Sequence, residues 1–138
     1  METWDLKEMK LVIGPYILSD FEEGDVLVVT RDEVSFTKQI GATGEGSRSK
    51  TNNRAGKITV RLKQTSSQNA SMSALMLADE LTNSGVVPLV AMDNSGTDKH
   101  VAKYVWIEKP PDAAYGRDGG AREWVFDTDD VMMFLGGS

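Results

Sequence analysis

A mainly β chain, folded as an antiparallel sandwich or barrel with one α-helix on its flank, is predicted by three observations. Short apolar runs with period-two alternation recur from Lys10 to Leu135, bounded by glycine, proline, aspartate and asparagine. Only one stretch, following Thr65, repeats its apolar residues at helical steps. Strands and helices do not alternate as βαβ units would require, so no parallel sheet is expected.

Taken in order, Lys10-Leu11-Val12-Ile13 runs into the chain-turning pair Gly14-Pro15, and Tyr16-Ile17-Leu18 returns. Phe21 and the acidic cluster Glu22, Glu23 and Asp25 precede Val26 to Thr30, a β-branched run ended by polar turn residues. Arg31-Asp32-Glu33 then reads as a tight connection to Val34–Ile40. There Val34, Phe36 and Ile40 share one face and Ser35, Thr37 and Gln39 the other, so the two runs are expected to pair as a hairpin with one wet side.

Lys57-Ile58-Thr59-Val60-Arg61-Leu62-Lys63 alternates without a fault, which turns Ile58, Val60 and Leu62 inward. Thr65-Ser66-Ser67-Gln68 fits a capping box and opens the helix. Its apolar stripe is read as Ala70, Ala74, Leu77, Ala78 and Leu81, and Asn83-Ser84-Gly85 stops it. Met72 and Met76 are read as core filler. Strands follow at 86–92, 101–107, 123–129 and 131–135, with a turn at Asp93–Gly96, a break at Pro110-Pro111 and a glycine-rich link through Gly116, Gly119 and Gly120. Trp4, Trp106 and Trp124 are expected as core or interface anchors.

The 138 residues suit a single domain, with 40% hydrophobic and 26% charged content. No cysteine is present, which removes disulfides, thiolate metal sites and cysteine nucleophiles together. No apolar run approaches the roughly 18–20 residues that span a bilayer, and METWDLKEMK is acidic and polar where a signal peptide would be basic and then apolar, so synthesis in the cytoplasm without membrane insertion is expected. A net charge of −6 argues against general affinity for nucleic acid, which comes from cations on phosphates.

Chemistry is hard to assemble from what is present. His100 has no second histidine to work with and is read as a solvated surface residue. Asp127, Asp129 and Asp130 lack the spacing, glycine and terminal glutamate of a calcium loop. Gly41-x-x-Gly44-x-Gly46 lacks the Gly-Lys-Ser/Thr ending of a phosphate loop and leads into a strand. No enzyme and no cofactor are expected.

One stretch stands apart. From Gly41 to Gly56, GATGEGSRSKTNNRAG holds four glycines and only Ala42 and Ala55 as apolar members, so it has nothing to add to its own core. Ordering such a segment costs about 1–2 kcal/mol per residue, and it is expected to stay mobile in a free subunit and to order against a partner.

Over nearly its whole length the chain resembles the tail tube proteins of contractile-tailed bacteriophages. The likeness lies in TWDLKEMKLVIGPYILSDFEEGDVLVVTRDEVSFTKQIGATGEGSRSKTNNRAGKITVRLKQTSSQNASMSAL and in WIEKPPDAAYGRDGGAREWVFDTDD. The resemblance implies a virion protein, assembled in the host cytoplasm, that forms homo-hexameric rings stacked into a tube for genome ejection. It implies as partners the tail sheath, the tape measure protein, the baseplate tube initiator and the tail terminator, with double-stranded DNA passing through unbound. Residues 41–56 would be the inter-subunit or inter-ring loop, with Glu45, Arg48, Lys50, Asn52, Asn53 and Arg54 as its contact residues. Val34–Ile40 and Lys57–Lys63 would offer open edges toward the lumen. A lumen kept negative by Asp25, Asp32, Glu33, Glu123, Asp127 and Asp129 would repel phosphates over a Debye length of about 8 Å. A tube of a type VI-like secretion system, or a monomeric binding module with a mobile basic loop, are the alternatives.

Overall fold

The computed structural model describes residues 9–19, 26–93, 96–113, 115 and 120–136. Trp4, Phe21, Glu22, Glu23, Asp25, Asn94, Ser95, Gly116 and Gly119 lie outside them.

Ten strands and one helix follow in order: β1 (Met9–Ile13), β2 (Tyr16–Leu18), β3 (Leu27–Arg31), β4 (Phe36–Ile40), β5 (Gly46–Lys50), β6 (Gly56–Lys63), α1 (Gln68–Thr82), β7 (Val87–Asp93), β8 (Lys99–Lys109), β9 (Ala121–Thr128) and β10 (Val131–Phe134). The main sheet has eight strands in the order β2-β1-β7-β8-β9-β6-β3, with β10 also on β8, and all its strand pairs are antiparallel. The mainly β, antiparallel class with one flanking helix is therefore the architecture of the chain.

Alternation decides which side chains go inside. Ile58, Val60 and Leu62 of β6 are fully buried, as are Leu11 and Ile13 of β1, Leu89 and Ala91 of β7 and Phe126 of β9. With Met72 and Leu75 of α1 they form one cluster, so the sheet curls around a single core, which a flat sheet of this width could not do. Trp124 closes it beneath the helix, its Nε1–H donating to Asn69 Oδ1 at 3.0 Å while Asn69 Nδ2 donates to Lys63 O at 2.8 Å.

β9 and β10 form a single run along β8, broken at Asp129-Asp130. Thr128 pairs with Val105 and Val131 with Ala102. The break is held from inside by Thr128, whose hydroxyl donates to Tyr104 O at 2.8 Å and accepts the Asp130 N–H at 3.3 Å.

Several expectations need correction. Val34–Ile40 does not pair with the strand before it: β3 pairs with β6, and β4 pairs with β5 in a separate two-stranded sheet. Its apolar residues Val34, Phe36 and Ile40 are exposed, not inward. Lys57–Lys63 is not an open edge, since β3 flanks it on one side and β9 on the other. Residues 41–56 are not one loop, because Gly46–Lys50 is a strand.

A further correction concerns the helix. Ser67 occupies the N-cap with no side-chain cap bond. Gln68 turns away from the expected box, accepting the Ser19 N–H at 3.0 Å and donating to Ile17 O at 3.3 Å, which ties the helix start to β2. The buried face is Met72 and Leu75 with Met76 packed against it, whereas Ala70, Ala74, Leu77 and Leu81 face outward. At the other end Asn83, left-handed at φ 56°, stops the helix where expected.

Candidate assembly surfaces

The hairpin β4–β5 leaves the body as an arm, and local chemistry explains both its turn and its root. Gly41 N–H donates to Glu45 O at 2.8 Å and Gly44, at φ 88°, makes the left-handed step that a side chain would resist. Thr43 donates its hydroxyl to the Glu45 carboxylate across the turn. The Gly41-x-x-Gly44-x-Gly46 pattern is thus a hairpin turn.

At the root, Thr51 N–H donates to Ser35 O and Asp32 N–H to Ala55 O. Arg31 donates Nη2 to Val131 O at 2.8 Å, the Val131 N–H reaches Arg54 O at 2.9 Å, and Arg54 pairs with Asp130 at 2.6 Å. Gly56 fits where a Cβ would meet Thr30 O at 2.2 Å, so β3, β6 and the β9–β10 break close on one another at this point. The root is fastened to the C-terminal run.

Register sorts the arm into two faces. Phe36 stands opposite Lys50, Lys38 opposite Arg48 and Ile40 opposite Gly46, while Thr37 faces Ser49 and Gln39 faces Ser47. One face therefore holds Phe36, Ile40, Lys38, Arg48 and Lys50, and the other is hydroxyl and amide throughout; Val34 precedes the strand and is exposed at the root. On the first, Arg48 lies 4.3 Å above the Phe36 ring; Val34, Phe36 and Ile40 remain 63%, 46% and 62% exposed.

The six expected loop residues are distributed along this arm. Arg48 and Lys50 sit on its apolar and cationic face, and Glu45 in its turn. Asn53 accepts the Ala55 N–H at 2.9 Å and Arg54 is engaged by Asp130, so both serve the root of their own subunit. Asn52 is exposed. Val34, Phe36 and Ile40, the arm's apolar residues, escaped a reading that began at Gly41.

The acidic residues do not converge. Asp32 and Glu33 are exposed beside the root and Asp129 at the strand break. Glu123 and Asp127 lie on the outward face of β9, opposite Arg61 and Lys57 of β6. Lys57 also meets Glu108 at 2.5 Å, and that hydrogen bond, helped by the charges of Glu108, Asp127 and Asp32, raises its pKa. Arg61 and Glu123 are 3.9 Å apart. This outward face of β6, β8 and β9 interleaves both signs, with Lys57, Arg61, Lys63 and Lys109 against Glu108, Glu123 and Asp127. Among the described residues, no three potential metal ligands gather.

A second apolar surface lies where β2, β1, β7, β8 and β10 meet. Ile17, Val12, Val90, Val101 and Met132 stand in one register row on the outward side of the sheet. The next row carries Lys10, Met92, Lys99 and Phe134. The third apolar surface is the outward stripe of α1, with exposed Glu80 at its margin, while half-buried Asp79 turns to the other side and accepts the Gly85 N–H at 3.3 Å.

His100 is not a solvated surface residue. It faces inward at 8% exposure, in register with Ala91 and two positions before buried Ala102. Burial lowers its pKa, with Asp98 pulling weakly the other way.

A family model described as bacteriophage PhiTE tail tube protein matches residues 18–136. Structural protein ORF10 of Pseudomonas phage KPP10 is 26% identical over 125 residues, which cover 89% of this chain and 72% of that protein. Among solved structures, the tube-terminating cap of the anti-feeding prophage superposes with a TM-score of 0.65 at 12% identity, covering 97% of this chain and 92% of that one. The sheath/tube terminator of the extracellular contractile injection system PVC, in its extended state, gives 0.65 at 12% identity, with 98% and 99% covered. The sheath-tube complex of the same system gives 0.64 at 11%, with 94% and 90% covered. At such identities these structures speak to the fold alone.

Proposed function

We propose, since this chain belongs to the bacteriophage PhiTE tail tube protein family, that it polymerises with itself into the inner tube of a contractile tail. The chain is a structural component of the phage tail and not an enzyme. In the proposed assembly it forms hexameric rings, the rings stack, and the arm of each subunit reaches a neighbouring copy. The observation that carries this reading is the arm itself: a hairpin whose apolar face stays exposed although its root is bonded firmly to a finished core. A monomer gains nothing from such a face, whereas a polymer buries it at every repeat.

The sheath is the proposed outer partner, and the solved structures of similar fold include a sheath-tube complex. Tube initiator, tape measure and terminator would meet the ends and the bore. For the bore we propose the mixed-charge face of β6, β8 and β9, where Lys57 and Arg61 already face Glu108 and Glu123. Cations so engaged offer little to phosphates, and the exposed acids Asp32, Glu33 and Asp129 would add repulsion.

Negative-stain microscopy of the purified protein tests the reading, with wild type expected to form tubes of stacked rings. A variant in which a short Gly/Ser turn replaces residues 34–53 is expected to remain soluble with a cooperative thermal melt and to form none. Tubes of normal length from that variant would overturn the arm's role.

A further inference from the structure

The arm needs a seat on its neighbour, and three outward surfaces compete for it. We infer that the apolar and cationic face of one subunit's arm docks on the outward stripe of helix α1 in another subunit. This inference rests on the tube reading and names the contact within it.

Charge removes the other two candidates. The arm face presents Lys38, Arg48 and Lys50 around Phe36 and Ile40. The apolar row from Ile17 to Met132 is bordered by Lys10 and Lys99, which would oppose that face. The outward face of β6, β8 and β9 has its anions already facing Lys57 and Arg61. Helix α1 is different: residues 68–82 contain no cation, exposed Glu80 follows Leu77 by three residues, and the helix C-terminus adds partial negative charge, so the stripe is acidic along its C-terminal half. Apolar area supplies the binding, and the charges select which apolar area is used.

The two stripes also match in form. Ala70, Ala74, Leu77 and Leu81 recur at steps of four, three and four, the repeat of one helical face. From Ala70 to Leu81 the stripe runs about 16 Å at 1.5 Å per residue, and from Phe36 to Ile40 the arm runs about 14 Å at 3.4 Å per residue. Alanines at one end let the arm backbone come close, and Leu77 and Leu81, 50% and 81% exposed, offer the larger side chains. Within one chain the stripes do not satisfy each other, since both remain open to solvent. The mate of each is therefore sought on another copy.

The absence of cysteine makes the test clean. Lys38→Cys and Leu77→Cys, near the middles of the two stripes, are prepared as separate proteins, mixed, assembled and treated with a short bis-maleimide. The expected result is a covalent dimer in the mixture and not in either protein alone, at residues that report the arm–helix contact whichever way the arm runs. Tubes without that dimer would refute the helix as the seat and leave the tube reading standing. Wild-type protein that makes no tubes would refute both. A second arm removes dependence on the cysteine variants: Lys38→Glu is expected to stop assembly and Glu80→Lys to restore it in the double variant. Failure of the double to exceed the single overturns the charge selection.

Discussion

Replacing Val34, Phe36 and Ile40 together with serine separates assembly from folding. In the isolated subunit these side chains stand 63%, 46% and 62% exposed. Burying a whole side chain of this type is worth about 1.5–3 kcal/mol, so the surface still open on the three amounts to about 2.5–5 kcal/mol per contact. That corresponds to a loss of roughly 70- to 5,000-fold in the association constant at each contact. The assay is the concentration at which pelletable tubes first appear, beside the thermal melt of the unassembled protein. The critical concentration is expected to rise by at least the lower factor while the melt stays put. A triple variant that pellets like wild type would refute the reasoning, because the arm would then bind without its apolar face. A melt lowered substantially would refute it differently, by showing the three residues packed on their own body.

Three further outcomes follow. Val60→Asp puts a charge at a fully buried position of β6 and should cost several kcal/mol, about what an unpaired buried charge takes, so insoluble or unfolded protein is expected on expression; normal yield with a normal melt would contradict the inward face of β6. Gly56→Ala drives a methyl into Thr30 O and should cost about 1–3 kcal/mol by overpacking, read as a lowered denaturant midpoint. For His100, whose pKa is lowered by burial, the unfolded chain binds a proton that the folded chain resists. Its contribution is then complete above the ordinary histidine pKa of about 6.5 and declines as pH falls through that value toward the folded one. Melting curves between pH 7.5 and 5.5 should show that decline, and His100→Gln should flatten it.

The strands with one committed face were legible. β6 could be placed residue by residue because every second side chain is apolar and none of the others is. The helix was legible in position but not in orientation, since it is apolar on two sides: Met72 and Leu75 go to the core, while Ala70, Ala74, Leu77 and Leu81 do not. A periodic pattern shows that a face will be buried without saying in whose interior. Val34–Ile40 misled for the same reason, its alternation being real and its burial absent from the single chain. Gly46–Lys50 went unseen as a strand because it holds no apolar side chain, yet Ser47-Arg48-Ser49-Lys50 alternates small and cationic residues in step with Gln39, Lys38, Thr37 and Phe36. His100 could have been placed by extending the inward positions of β8 back from Ala102. The lost capping box has a tertiary cause, since Gln68 finds partners at Ser19 and Ile17 that a local motif cannot anticipate.

The fastening of Arg31 and Arg54 onto residues 130 and 131 has a mechanical side. With its base bonded across three separate stretches of chain, the hairpin would act as a lever once its tip is held by a neighbour. A twist applied at its tip is delivered straight into the long C-terminal run and from there to the middle of the sheet. If the proposed tube is joined through such arms, it would resist torsion as a rod does.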